Sequence, residues 1–96
     1  MKSQFSPAIP LNRVTVASAP ECCAVYKLLD TGGYVLYVGW AKEGQLRNRL
    51  LEHVTKREVP GVVNYVYQQF SSELAAEESA AKLIQTTRPK MNLMAR

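Results

Sequence analysis

The sequence predicts an α+β domain: a small three-stranded antiparallel sheet flanked by helices, in the order β-β-α-β-α. Two apolar, aromatic-containing runs, residues 22–29 and 34–39, flank Asp30-Thr31-Gly32-Gly33, which is a turn signal, so together they read as a hairpin. Two later segments place apolar residues at helical spacing, and a further strand-like run, residues 62–70, lies between them. Three strands with helices to cover them make a minimal core.

Residues 1–19 read as an N-terminal arm punctuated by Pro7 and Pro10, and the alternation over residues 11–17 suits an added edge strand; residues 20–96 form the domain. A hairpin turn symmetric about Thr31-Gly32 puts Tyr26 opposite Tyr37 and Ala24 opposite Gly39, and directly opposed residues share a face. Residues 45–57 carry Leu46, Leu50 and Val54 on one helical stripe, widened by Leu51. Arg49 and His53, four apart, are neighbours on that helix. Pro60-Gly61 ends the segment with a turn. Ser71 or Ser72 can cap a last helix running to Thr86, with Leu74, Ala76, Ala80, Leu83 and Ile84 as its apolar face and Pro89 as its stop.

Ninety-six residues suffice for one modest core. With 47% hydrophobic and 21% charged residues, the chain is neither disordered nor collagen-like. No apolar run approaches the roughly 18 residues of a membrane span, and the first twenty residues hold Lys2 and Arg13 but no compact apolar block. The expectation is a cytoplasmic protein without a membrane partner. Cys22 and Cys23 are adjacent, so on a strand they point to opposite faces, and a disulfide between them would be strained. They read as small buried hydrophobes in a reducing compartment. His53 is the sole histidine, and no Cys/His spacing suggests zinc.

The net charge of +4 permits nucleic-acid binding. Arg47, Arg49, Lys56 and Arg57 form one basic run and Lys82, Arg88, Lys90 and Arg96 another, with Glu73, Glu77 and Glu78 between them. The same pattern also fits two solvated helix faces.

Four short motifs then line up in order. Ala24-Val25-Tyr26 and Tyr37-Val38-Gly39 stand on the two hairpin strands, Leu46-Arg47-Asn48-Arg49-Leu50 with His53 on the first helix, and Arg88-Pro89-Lys90-Met91-Asn92 after the last. Over residues 20–92 the chain resembles the GIY-YIG nuclease superfamily, most of all the branch with the N-terminal nuclease domain of the bacterial nucleotide-excision-repair incision subunit. The resemblance implies phosphodiester hydrolysis of nucleic acid, DNA above all, assisted by one divalent ion, Mg²⁺ or Mn²⁺. It implies a catalytic set of Tyr26, Tyr37, Arg49, His53 and Asn92, with Arg47, Trp40, Lys56 and Arg57 as nucleic-acid contacts. A tyrosine, with an ordinary pKa near about 10, serves as a base only where positive charge favours the phenolate, and Arg49 and His53 are the candidates.

The chain departs from the family in four places. Ala24 replaces a glycine, Trp40 replaces a small or basic residue, and Glu43-Gly44 forms a short insertion. The fourth departure concerns the ion. Counting back from Arg88-Pro89 and Leu83-Ile84, the family's metal-binding glutamate falls at Ala80. The resemblance therefore implies an impaired catalyst. The alternative is an active DNA endonuclease using Glu77 as metal ligand, one turn earlier, about 60° around the helix and about 4.5 Å along it. A further alternative is a non-catalytic protein-binding subunit of a larger complex; in either case a protein partner supplies targeting. Simpler readings stand beside these: a cross-strand Tyr26–Tyr37 pair, an exposed Arg49–His53 pair, Trp40 as a rim hydrophobe, and Ala80 as a small residue on a buried helix face.

Overall fold

The computed structural model describes residues 4–57, 59–89 and 91–92. Along the chain lie β1 (Ile9–Pro10), α1 (Arg13–Val16), β2 (Cys23–Leu29), β3 (Val35–Ala41), α2 (Leu46–Lys56), β4 (Asn64–Phe70) and α3 (Glu73–Thr87). From β2 to α3 the order is the expected β-β-α-β-α. The sheet has four strands rather than three, all antiparallel, in the order β1-β4-β2-β3.

The added strand lies at Ile9–Pro10, and residues 11–17 are not its continuation. Asn12 turns the chain into α1 instead. Its side chain accepts from the Val14 and Thr15 amides, while the Thr15 hydroxyl accepts from the Asn12 N–H. This reciprocal capping box satisfies donors that a strand would leave to β4. Upstream, the Ser6 amide donates to the Tyr67 carbonyl (2.8 Å), and downstream the Leu11 amide donates to Val63 (2.9 Å), so the arm tracks the β4 edge. Val16 and Ala19 are buried in the core. Phe5 packs against the opposite sheet face, with Lys27 Nζ 4.1 Å from its ring centre, a cation–π contact.

The hairpin register differs from the symmetric expectation by two residues. Tyr26 faces Gly39, Ala24 faces Ala41, and Tyr37 faces Leu28. The turn explains this. Asp30 Oδ1 accepts from both the Gly32 and Tyr34 amides, and Gly33 adopts φ +84°. The loop therefore spans three residues, closed by the Tyr34 carbonyl accepting from the Asp30 amide, and a bulge at Leu28/Leu29 shifts the pairing again. A shift of two preserves the face of every side chain, so Tyr26 and Tyr37 still lie together, as diagonal neighbours.

The helices cover opposite faces. On one face α2 buries Leu46 and Leu50 completely against Ala24, Tyr26, Leu28 and Ala41, each leucine contributing about 1.5–3 kcal/mol. On the other, α3 lays Ala76 and Ala80 on Val25 and Val38. Gln45 offers α2 no side-chain cap; Glu21, distant in sequence, accepts from the Arg47 amide instead (3.2 Å). Ser72 caps α3 through the Ala75 amide. Leu74, expected on the apolar face of α3, is exposed, because it lies about 200° around the helix from buried Ala76. Arg88 ends α3 in the left-handed conformation (φ 50°) ahead of buried Pro89. Both cysteines are free thiols, Cys23 buried and Cys22 partly so. Among the described residues no helix is long and apolar enough to cross a membrane.

Candidate functional site

Tyr26 occupies the centre of β2, one of the two inner strands, and is buried. Its ring crosses the neighbouring strand at Gly39. A Cβ on Gly39 would meet Tyr26 Cε2 at 2.9 Å and Cζ and Oη closer still. Gly39 therefore serves to let the phenol lie across β3. From there Tyr26 Oη reaches His53 Nε2 of α2 at 3.0 Å. When that imidazole is neutral with its proton on Nδ1, the phenol is the donor.

Tyr37 completes a three-ring cluster. Its ring centre lies 6.3 Å from Tyr26 and 5.3 Å from His53, and Tyr26 and His53 stand edge-on at 5.6 Å. Burial pushes the Tyr26 phenol well above the ordinary tyrosine range, and Tyr37 adds to the rise; Arg49 opposes it and Glu52 reinforces it. Burial outweighs the nearby guanidinium, so Tyr26 is a neutral phenol that holds a hydrogen bond, not a phenolate.

One turn ahead of His53, Arg49 faces a hollow of about 350 Å³ lined by Trp40, Lys42, Gln45 and Arg49. Trp40 also packs against the cluster formed by Val25, Val38, Ala76 and Ala80, so it links the hollow to the α3 face. Ala80 is only 2% exposed there. Val25 and Val38 adjoin Tyr26 and Tyr37 along their strands, and adjacent strand residues point to opposite faces. Ala80 thus packs on the opposite face of the sheet from the ring cluster.

Asn92 does not reach the rings with its side chain. Its Oδ1 accepts from the Val38 amide (2.7 Å) and its Nδ2 donates to the Val38 carbonyl (2.9 Å). It clips the open edge of β3 between Tyr37 and Gly39. The other expected contacts divide. Arg47 Nε donates to the Ala19 carbonyl at 2.5 Å and lies 4.0 Å from Glu21, while the side chain stays half exposed. Lys56 pairs at 4.0 Å with Glu52, and Arg57 caps the far end of α2, lining a second hollow with His53 and Val59. From Arg49 to Lys56 the helix rises about 10.5 Å, so Lys56 and Arg57 are not part of the Trp40 hollow. The sequence does not single out Lys42, Gln45 or Glu21, and it gives Gly39 only as part of the second hairpin motif. Lys42 carried a usable signal, a cation just past the second hairpin motif.

The hollow does not suit a divalent cation. Its lining supplies two cations, an amide and an indole, and no carboxylate. Glu77 is an exposed residue of α3 and is absent from that lining. Among the described residues no group of three or more His, Cys, Asp or Glu side chains could hold a metal. Lys90 and Arg96 of the second basic run lie outside the described residues.

The four-stranded sheet, the helices on its two faces and the tyrosine–histidine cluster define a GIY-YIG-type domain. The GIY-YIG N-terminal endonuclease domain of UvrC from Thermotoga maritima, solved with its catalytic magnesium, superposes with a TM-score of 0.70 at 28% identity, covering 81% of this chain and 91% of that one. UvrABC system protein C of Rickettsia prowazekii (strain Madrid E) is 34% identical over 89 residues, and that of Rickettsia canadensis (strain McKiel) 35% over 86. These alignments take in 88% and 82% of this chain but only 14% and 13% of the relatives. The homologues are thus UvrC-type N-terminal nuclease domains. Residues 7–90 match the model of the family described as Domain of unknown function (DUF7508), and the chain belongs to that family.

Proposed function

We propose that the domain binds nucleic acid, DNA in the first instance, at the surface where Tyr37, His53 and Arg49 adjoin the Trp40 hollow, and that it is impaired in cleaving phosphodiesters. The observation that carries this reading is that no carboxylate lines the hollow beside Arg49, while the position where the resemblance places an ion-binding glutamate is Ala80, a buried methyl group in the layer on which Trp40 of that hollow packs. A single-carboxylate site has no spare ligand, and a substitute on the next turn would have to meet tolerances of about 0.5 Å.

What the residues can do follows from their geometry. Arg49 supplies a fixed positive charge beside an exposed hollow, suited to a phosphate oxygen. Gly39 and His53 hold the Tyr26 phenol in place. Asn92 fixes the β3 backbone that carries Tyr37. None of these groups replaces the charge neutralisation of an ion, and the proposal routes no step through one. Recruitment to a target by a protein partner belongs to the same reading. The chain spans about one seventh of the length of its curated relatives.

The test is a supercoiled plasmid incubated with the protein and Mg²⁺ or Mn²⁺, alongside a gel-shift titration at increasing salt. The reading expects binding that weakens as salt rises, because bound phosphates release counterions, and no nicking. Nicking by the wild type that disappears in both Tyr37→Phe and Glu77→Ala would establish the active endonuclease instead. Binding to a protein partner with no salt-sensitive nucleic-acid affinity would establish the protein-binding subunit.

A further inference from the structure

The hollow beside Arg49 combines two features that a phosphate site alone does not need. Lys42 and Arg49 bring two positive charges to its lining, with no acidic residue among its walls. Of the carboxylates close by, Glu21 accepts from the α2 amide of Arg47, Glu52 pairs with Lys56, and Glu43, next to Lys42, is exposed and not part of the lining. Two cations without a counter-charge attract an anion and repel a metal ion. The remaining walls are Gln45 and Trp40. The Trp40 indole packs on Val25, Val38, Ala76 and Ala80 and also lines the opening. The core therefore fixes the orientation of an aromatic surface bordering a basic hollow. The volume of about 350 Å³ lies at the small end of ligand sites, which run from roughly 300 to 1,000 Å³.

We propose that this hollow binds a nucleoside phosphate without a divalent ion, the base stacked on Trp40 and the phosphate between Lys42 and Arg49. The proposal rests on the nucleic-acid reading above and sharpens it. A base inside a duplex is already stacked on its neighbours, so the site selects a base that is free to leave the stack. Single-stranded or frayed segments are then preferred over intact duplex. Small apolar residues at positions 76 and 80 have a positive role here, since they make the bed on which the indole lies.

Trp40 is the only tryptophan in the chain, so its fluorescence reports on this hollow alone. The experiment titrates the full chain with oligothymidylate in EDTA, following tryptophan quenching and, independently, the anisotropy of a fluorescein-labelled oligomer. Saturable quenching is expected, with weaker binding to a duplex of equal length. Lys42→Ala and Arg49→Ala should each weaken binding several-fold. Trp40→Leu, which keeps an apolar side chain on Ala76 and Ala80, should weaken it roughly fivefold or more, as loss of one base stack implies; thermal melting followed by circular dichroism confirms that this variant is folded. Thymidine monophosphate that quenches as strongly as the oligomer identifies a free nucleotide as ligand, and much weaker quenching identifies a strand; both support the site. Anisotropy that rises without quenching, unchanged affinity in Trp40→Leu, or a strict requirement for Mg²⁺ would overturn the proposal while leaving nucleic-acid binding intact. No binding by either readout would overturn both.

Discussion

The two faces of the sheet are built from neighbouring residues of the same strands and have opposite characters. Tyr26 and Tyr37 turn toward α2, where a phenol, an imidazole and a second phenol meet and a guanidinium borders them. Val25 and Val38, one residue away on each strand, turn toward α3, where Ala76 and Ala80 close the layer with methyl groups and Trp40 covers its margin. The first face spends polar groups in a buried setting, which only paired hydrogen bonds make tolerable. The second asks nothing of its residues beyond size. On the reading proposed above, the α2 face keeps groups that position a phosphate, while the α3 layer around Ala80 offers no carboxylate to neutralise charge on it with an ion.

The contrast can be attacked first at Gly39. Gly39→Ala forces the Tyr26 ring out of its place and should destabilise the domain by about 1–3 kcal/mol. Thermal melting should then fall by several degrees, since a domain of this size loses about 4–8 °C per kcal/mol. On the α3 side, Ala80→Glu should cost a similar amount by overfilling the layer against Val25 and Val38. Ala81→Glu, at an exposed neighbour, should stay within about 0.5 kcal/mol in urea unfolding.

Tyr26→Phe comes next. It removes the bond to His53 Nε2, a loss of about 1–2 kcal/mol for a buried polar partner. The same variant has a signature in pH. Because burial raises the folded Tyr26 pKa above its unfolded value, its contribution to stability is complete below the unfolded pKa of about 10 and is lost as pH rises beyond it. Stability of the wild type should therefore fall more steeply with pH above about 10 than that of Tyr26→Phe. The residual slope in the variant includes Tyr65, whose phenol is also raised by burial and by Tyr67. Smallest is Asn92→Ala, which frees the Val38 amide and carbonyl on the β3 edge. A loss of about 1 kcal/mol is expected, together with faster hydrogen exchange at the Val38 amide.

Much of this architecture was legible in the residues. Leu46, Leu50 and Val54 mark α2, the Asp30–Gly33 turn marks the hairpin, and the motifs alone group Tyr26, Tyr37, Arg49 and His53. The register was not legible, because it depends on one Asp30 carboxylate bonding two amides and on the left-handed Gly33, and these decide between a two-residue and a three-residue loop. Alternation over residues 11–17 misled, since the Asn12–Thr15 capping box is a local interaction that weak periodicity cannot reveal. Strand alternation separates Val25 from Tyr26, yet it does not say which helix covers which face. Only the packing shows that Ala80 lies on the opposite face of the sheet from the tyrosines. Lys42 and Trp40 meet Arg49 only through tertiary packing.

Whether the domain has parted with its ion is read most directly by Mn²⁺ titration followed by electron paramagnetic resonance, with the full chain in excess and no nucleic acid present. The spectrum of the free aqueous ion should persist undiminished for wild type and Glu77→Ala alike. One-to-one loss of that signal in the wild type, restored by Glu77→Ala, would show a working ion site on α3 and contradict the separation of the two faces.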